Sequence, residues 1–261
     1  MSTQYNSIQA PYDEIRKTSI ALIEKQNVHD AVAPFIEGSR VLDLACGSGF
    51  YTKEFSKWGA GSVLGVDISA AMLTEAQRAV SNEASNSQVV FLEADCSKPV
   101  AYTGGPFQVV FGAWLLNYAP SAKELTELFR NISLNLEPGG HFVGVTPPPT
   151  QDPAAFYEAE NHARPHGSGF LMGHPTRLLE DGCAVHTQGE TALGTVEFDN
   201  YHLRRDVYER AARDGGLQGT MEWNLTTVPN GFEEPIIEGE SREEIESYKL
   251  VPNYGILVIA K

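Results

Sequence analysis

The chain has 261 residues, 42% of them hydrophobic and 20% charged, the composition of a folded globular protein with room for a sizeable core. Its formal net charge of −15 repels phosphate and argues against nucleic acid or anionic membrane as a partner. Three cysteines (Cys46, Cys96, Cys183) form no CxxC pair, and neither a secretory signal nor a membrane-length apolar run is evident, so a reduced, cytoplasmic protein is expected.

The first forty residues read as helical, with Ile15, Ser19, Leu22, Ile23 and Val28 at helical spacing and Pro34 and Gly38 punctuating the end. An alternation follows. "RVLDLA" is an apolar strand, "FYTKEFSKWGA" a helix closing on Gly59, and "SVLGVDIS" a second strand. Ser69 is placed to cap the helix "SAAMLTEAQRAVSNEA". "QVVFLEADC" and "FQVVFGAWLL" are the third and fourth strands. "SAKELTELFRNISLNLEPGG" is a helix ended by Pro138 and Gly139, and "HFVGVTPP" a fifth strand stopped by prolines. Strands alternating with helices at this spacing predict right-handed βαβ units and a parallel, doubly wound sheet. From residue 147 to 203 the pattern turns irregular, with a hairpin expected around Gly189 or Gly194. "RRDVYERAARDGGL" is a last helix, and "GTMEWNLTTV" and "YGILVIAK" are two last strands. A single domain is expected: a helical cap at 1–38, a core at 39–146, a lid insertion at 147–203 and the rest of the core at 204–261.

Ligands of open α/β sheets sit at the carboxyl ends of the strands, beside strand one. Gly47 and Gly49 lie there and let the backbone approach a ligand closely. Asp67 ends strand two, where a carboxylate can accept hydrogen bonds from both ribose hydroxyls, and Asp95 ends strand three on the same rim. A dinucleotide site wants a third glycine, but Thr52 stands there behind Phe50 and Tyr51, and GxxxxGK[ST] is absent. Asp43, just ahead of the turn, repels phosphate and suits an ammonium group. The ligand implied is an adenosine with a positively charged attachment.

"VLDLACGSGFYTKEFSKWGAGSVLGVDISAAML" resembles the first two motifs of class I S-adenosylmethionine-dependent methyltransferases. "VVFLEADC", "FQVVFGAWLLNYAP" and "LNLEPGGHFVGV" are similar to the segments that follow in order. The resemblance implies an α/β Rossmann-like, doubly wound, seven-stranded sheet with an antiparallel last strand. It also implies S-adenosyl-L-methionine as the cofactor and S-adenosyl-L-homocysteine as its product. Carried over residue by residue, Ala45, Gly47 and Gly49 border the methionine part, Asp43 organises its amino group, and Asp67 holds the ribose. Ile68 and Met72 sandwich the adenine, Asp95 and Cys96 contact its edge, and Gly112 and Ala113 face the sulfonium end. Tyr5 and Tyr12 match aromatic positions that cover the cofactor, with Arg16 near its carboxylate. Two positions depart from the pattern: Gln108 replaces an aspartate, and Asn117 a common histidine.

The acceptor is expected near Trp114, Asn117 and Tyr118, at the end of strand four. Candidate bases are His162, His166 and His174, with His186 and His202 also in the insertion; His141 is read as structural. A metal held by His162, His166 and either His174 or Glu158 is disfavoured because Pro165 interrupts the shared helix face, so no metal is expected. The reading is methyl transfer to an N or O atom of an enclosed small-molecule acceptor, of secondary-metabolism type, by a monomer or homodimer. A non-methylating step such as cyclisation is the alternative.

Overall fold

The computed structural model describes residues 14–81, 88–163, 171–191, 193–232, 234 and 241–261. Helix α1 (Ser19–Ile36) opens with Thr18 as its cap, and Pro34 lies inside its last turn rather than beyond it. In chain order come β1 (Arg40–Leu44), α2 (Phe50–Lys57), β2 (Ser62–Asp67), α3 (Ala70–Ser81), β3 (Gln88–Glu93) and β4 (Phe107–Ala113). Then follow α4 (Ala122–Asn135), β5 (Leu136–Thr146), α5 (Pro153–Ala163), β6 (Met172–Leu178), β7 (Gly182–Thr191) and β8 (Gly194–Leu203). The chain ends with α6 (Arg205–Asp214), β9 (Met221–Leu225), α7 (Arg242–Leu250) and β10 (Gly255–Ala260).

Seven strands form one sheet in the order β3-β2-β1-β4-β5-β10-β9. β1 to β5 are mutually parallel, whereas β10 runs antiparallel to both β5 and β9. The doubly wound sheet with an antiparallel last strand is therefore the fold the sequence predicts. The order reverses beside β1, which places the switch point next to the glycine turn.

Alternate residues of one strand serve two cores, as a period of two requires. Leu42, Leu44, Val110 and Phe142 face α4 and α6, meeting Leu125, Leu128, Phe129 and Ile132 of α4 and Val207, Tyr208 and Ala211 of α6. Val41, Val109, Phe111, Val143 and Val145 face the other way, onto Ile23, Val28 and Val32 of α1, Tyr51 and Phe55 of α2, and Tyr248 of α7. Each fully buried side chain of this kind stabilises the fold by about 1.5–3 kcal/mol. Burial on both faces explains why β1 and β4 are mostly apolar rather than alternating.

The elements depart from the sequence reading at several points, among them β3, which stops at Glu93, short of the Ala94–Cys96 end read for it. α4 stops at Asn135, and Leu136–Gly140 joins β5 rather than ending the helix, so Pro138 and Gly139 sit within the strand's span. β1 stops before Ala45 and β4 before Trp114, because both residues adopt positive φ, 58° and 57°. Helix α7 has no counterpart in the sequence reading. The segment after β5 contains α5 and an antiparallel sheet β6-β7-β8. Its β7–β8 hairpin pairs Thr191 with Gly194, whose φ of +125° only glycine adopts readily. This small sheet is tied to the core: Asp181 Oδ2 accepts from Ala122 N at 2.8 Å, and His202 Nε2 bonds the Pro148 carbonyl at 2.9 Å.

Candidate functional site

The glycine turn is built by three local constraints. Ala45, Gly47 and Gly49 all take positive φ, which folds the chain sharply from β1 into α2. A Cβ on Gly49 would lie 2.9 Å from Ala76 Cβ, so this glycine lets α3 pack against the turn. A Cβ on Gly47 would meet nothing within 4 Å, so the backbone there borders open space. That turn leaves its backbone open to close approach.

The acids of the rim differ in environment. Asp43 is 2% exposed, and its Oδ2 accepts from the Thr52 hydroxyl at 2.6 Å. Burial pushes its carboxyl up to about 7, assisted by the nearby Asp67 charge and opposed by the Thr52 bond and Arg16. Thr52 is thus more than the absence of a third glycine, because it anchors the acid of the preceding strand. Asp67 accepts from Ser69 N and Gly47 N, both at 2.9 Å, with one oxygen each. Burial raises its pKa while these backbone bonds lower it in part. Each oxygen retains a lone pair for a ribose hydroxyl. Ser69 caps α3 through Met72 N at 3.2 Å. Asp95 lies two residues beyond β3 and accepts from Ser97 N and Oγ at 3.0 and 2.7 Å. Burial raises its pKa, but the Ser97 bonds and Lys98 outweigh it and hold the carboxyl below its usual range.

Met72 is buried and Ile68 half-buried at the start of α3. Cys96 is 1% exposed, its thiol pointing to the Val66 carbonyl at 3.7 Å and pushed up to about 12 by burial. Gly112 is packed against Leu115, and a Cβ would come within 2.9 Å of it. Ala113, half-buried, is the last residue of β4. Tyr5, Tyr12 and His166 lie outside the described residues. Gln108 bridges three strand beginnings, accepting from Arg40 N at 2.8 Å and donating to Glu137 Oε2 at 2.5 Å.

Beyond the end of β4 opens a cavity with about 930 Å³ of empty space, part of it continuous with solvent. Trp114, Asn117 and Tyr118 line it, together with α1, the Pro147–Pro148 turn, α5 and the small sheet. No histidine is among its described lining residues. His162 is exposed on α5. His174 and His186 pair across β6 and β7, and Asp199 lies opposite His186 on β8, with His186 Nδ1 2.9 Å from it. The cavity is lined instead by the alternating positions Gly173, Thr187, Phe198 and Asn200, so these histidines occupy the other face. His202 is fully buried beneath Phe156 and Tyr157, and desolvation lowers its pKa to about 4. Among the described residues no three His, Cys, Asp or Glu side chains converge as metal ligands.

The sequence reading missed Glu24. It is 5% exposed on α1 and lines the cavity. Its carboxylate accepts from Arg16 at 3.0 Å, the Tyr51 hydroxyl at 2.7 Å and Trp114 Nε1 at 3.1 Å. The Arg16 guanidinium also lies over the rings of Phe50 and Tyr51, at 5.0 and 5.6 Å. One carboxylate therefore joins α1, the helix of the glycine turn and the strained Trp114. A signal was present, since Glu24 lies on the apolar side of α1 between Ile20 and Val28. Glu160 of α5 is the cavity's second buried acid and accepts from Asn253 at 3.4 Å.

Residues 41–140 match the family described as "Methyltransferase domain". The chain is 34% identical over 104 residues to "Putative methyltransferase YqeM" of Bacillus subtilis, covering 40% of each chain. It is 26% identical over 159 residues to the mRNA cap guanine-N(7) methyltransferase of Saccharomyces cerevisiae, 55% of this chain and 36% of that one. The chain spans about two fifths of the length of the curated relatives it matches. In structure it is similar to an S-adenosylmethionine-dependent methyltransferase from Mesorhizobium loti, with a TM-score of 0.59 and 20% identity over 90% of this chain and 96% of that one. No described helix is long and apolar enough to cross a membrane. Residues 41–140 thus match the methyltransferase-domain family, and the chain shares the fold of the Mesorhizobium loti S-adenosylmethionine-dependent methyltransferase.

Proposed function

We propose that the protein transfers a methyl group from S-adenosylmethionine to an N or O atom of a small molecule held in the cavity beyond β4. One observation carries the reading: the cavity opens beyond β4, the strand paired with β1, and Arg16, which lines it, also lies over Phe50 and Tyr51 at the start of the helix that follows the glycine turn. Asp67 holds the ribose, Asp43 the amino group, Ile68 and Met72 the adenine, and Asp95 its edge. Cys96 contributes backbone, since its thiol faces the core. Ala45, Gly47, Gly49, Gly112 and Ala113 shape the path of the methionine part, with Tyr5 and Tyr12 covering it. The donor brings a methyl group already activated by its sulfonium, so the chain's work is alignment and exclusion of water. Trp114, Asn117 and Tyr118 orient the acceptor.

The net charge of −15 favours a small molecule over the RNA that the yeast relative's name specifies. Residues 147–203 act in this reading as the acceptor lid. Calorimetric titration with S-adenosylmethionine and S-adenosylhomocysteine tests the first half. Saturable binding that Asp67→Ala abolishes supports the assignment, and no binding of either compound by the native protein refutes it. Mass spectrometry of a turnover mixture tests the second half. A product heavier by one CH2 is expected; an isomerised acceptor with no added methyl supports the cyclisation alternative instead.

A further inference from the structure

We propose that the cavity selects an amine and that the methyl group is placed on nitrogen, with Asn117 as the residue that recognises the acceptor. The inference rests on the methyl-transfer reading above and narrows it. Asn117 follows β4 in a short 3-10 turn, is 3% exposed and lines the cavity. Its Oδ1 has no hydrogen-bond partner among the described residues. A buried amide oxygen left without a donor is unfavourable, so a ligand N–H or O–H is its complement. An amide oxygen accepts a hydrogen bond but does not take up a proton at neutral pH.

The rest of the wall separates the two kinds of donor. Glu24 and Glu160 place two carboxylates in the same cavity, and Arg16, the one basic residue among the described lining positions, is paired with Glu24. A phenol must lose its proton to become a good nucleophile, and the resulting anion would face a carbonyl oxygen and the Glu160 carboxylate, with the Arg16 charge already engaged by Glu24. A neutral amine fits better, and an alkylammonium gives its proton to solvent before it binds. One N–H donates to Asn117 Oδ1 while the nitrogen lone pair remains available for the methyl carbon. The N–C bond forms as the S–C bond breaks, and that bond's electron pair stays on sulfur as a neutral thioether. Nitrogen then carries the positive charge, which Asn117 Oδ1 and the two carboxylates stabilise as it develops. The ammonium product passes its proton to solvent after release. Ile20, Trp114, Pro147, Phe156 and Phe198 supply apolar walls for a hydrocarbon or aromatic body.

The test offers a panel of aryl- and alkylamines, each with its hydroxyl counterpart, such as phenethylamine, 2-phenylethanol and 4-ethylphenol. The donor is S-adenosylmethionine bearing a trideuterated methyl group, and fragmentation mass spectra locate the label. Label on nitrogen is expected. The best amine is then titrated into protein saturated with S-adenosylhomocysteine, and Asn117→Leu should weaken its binding and its kcat/KM by about 10- to 100-fold. Affinity for S-adenosylhomocysteine should stay within about twofold, which also reports folding; if that control fails, Asn117→Ala is measured in its place. Label on oxygen, no labelled amine in the panel, or an unchanged amine affinity in the variant overturns the proposal. Native protein that binds neither S-adenosylmethionine nor S-adenosylhomocysteine overturns the methyl-transfer reading itself.

Discussion

The rim of β1 to β3 and the cavity beyond β4 are neighbours assembled by different means. The rim is local: Asp43, Gly47, Gly49, Thr52 and Asp67 fall within a single βαβ unit, and their bonds join residues close in sequence. The cavity is composite. Its walls come from α1, the end of β4, the turn after β5, α5, the β6-β7-β8 sheet and Asn253. A local site survives changes elsewhere in the chain, so it is suited to an invariant ligand. A composite site changes with any of its distant contributors, and there specificity is set.

Three substitutions probe the two halves and the link between them. Asp67→Ala should lower affinity for S-adenosylhomocysteine by roughly 100-fold or more in calorimetry, because the ribose loses charge-assisted bonds and Gly47 N loses its anchor. Glu24→Ala should act on both halves together. It removes the carboxylate that Arg16, the Tyr51 hydroxyl and the Trp114 indole share, costing about 3–5 kcal/mol in denaturant unfolding. If acceptor and donor affinities then respond independently, the carboxylate does not link the two sites. Gly49→Ala should cost about 1–3 kcal/mol, through its φ of +80° and the 2.9 Å approach to Ala76.

A pH titration sharpens the rim. Asp43 titrates at about 7 in the folded protein, against 3.8 for a free aspartate. Between those values the folded state retains a proton that the unfolded chain has released, so stability without ligand should fall as pH rises through that window. Affinity for an ammonium-bearing ligand should move the other way. It should rise with pH, by up to about tenfold per unit below 7, and level off above as the carboxylate ionises. Asp67, Arg16 and Cys46 also bear charge or titrate around this carboxyl, and Asp43→Asn should flatten the profile. The smallest effect belongs to the lid. His162→Ala should leave turnover within about twofold, because that side chain is exposed and outside the cavity wall.

What was legible in the sequence follows the same division. Strands, helices and the acids of the rim were readable because apolar periodicity and glycine spacing are local signals. The ends of β1 and β4 were read too long, since Ala45 and Trp114 are ordinary strand residues whose positive φ is imposed by the turns they enter. The histidines of the insertion drew attention by composition, yet the register of β6, β7 and β8 places His174 and His186 on the face away from the cavity. Register is a tertiary property, and a one-residue slip would have reversed the assignment. Glu24 escaped notice because a lone acid on an apolar helix face gains meaning only when Arg16, Tyr51 and Trp114 gather around it.

The central claim is that the rim holds a methyl donor whose reactive end faces the composite cavity. A crystal structure with S-adenosylhomocysteine tests it most directly. The account predicts ribose hydroxyls on Asp67, the amino group toward Asp43, and sulfur facing the space bounded by Trp114 and Asn117. A ligand bound elsewhere, or sulfur turned away from that cavity, would contradict it.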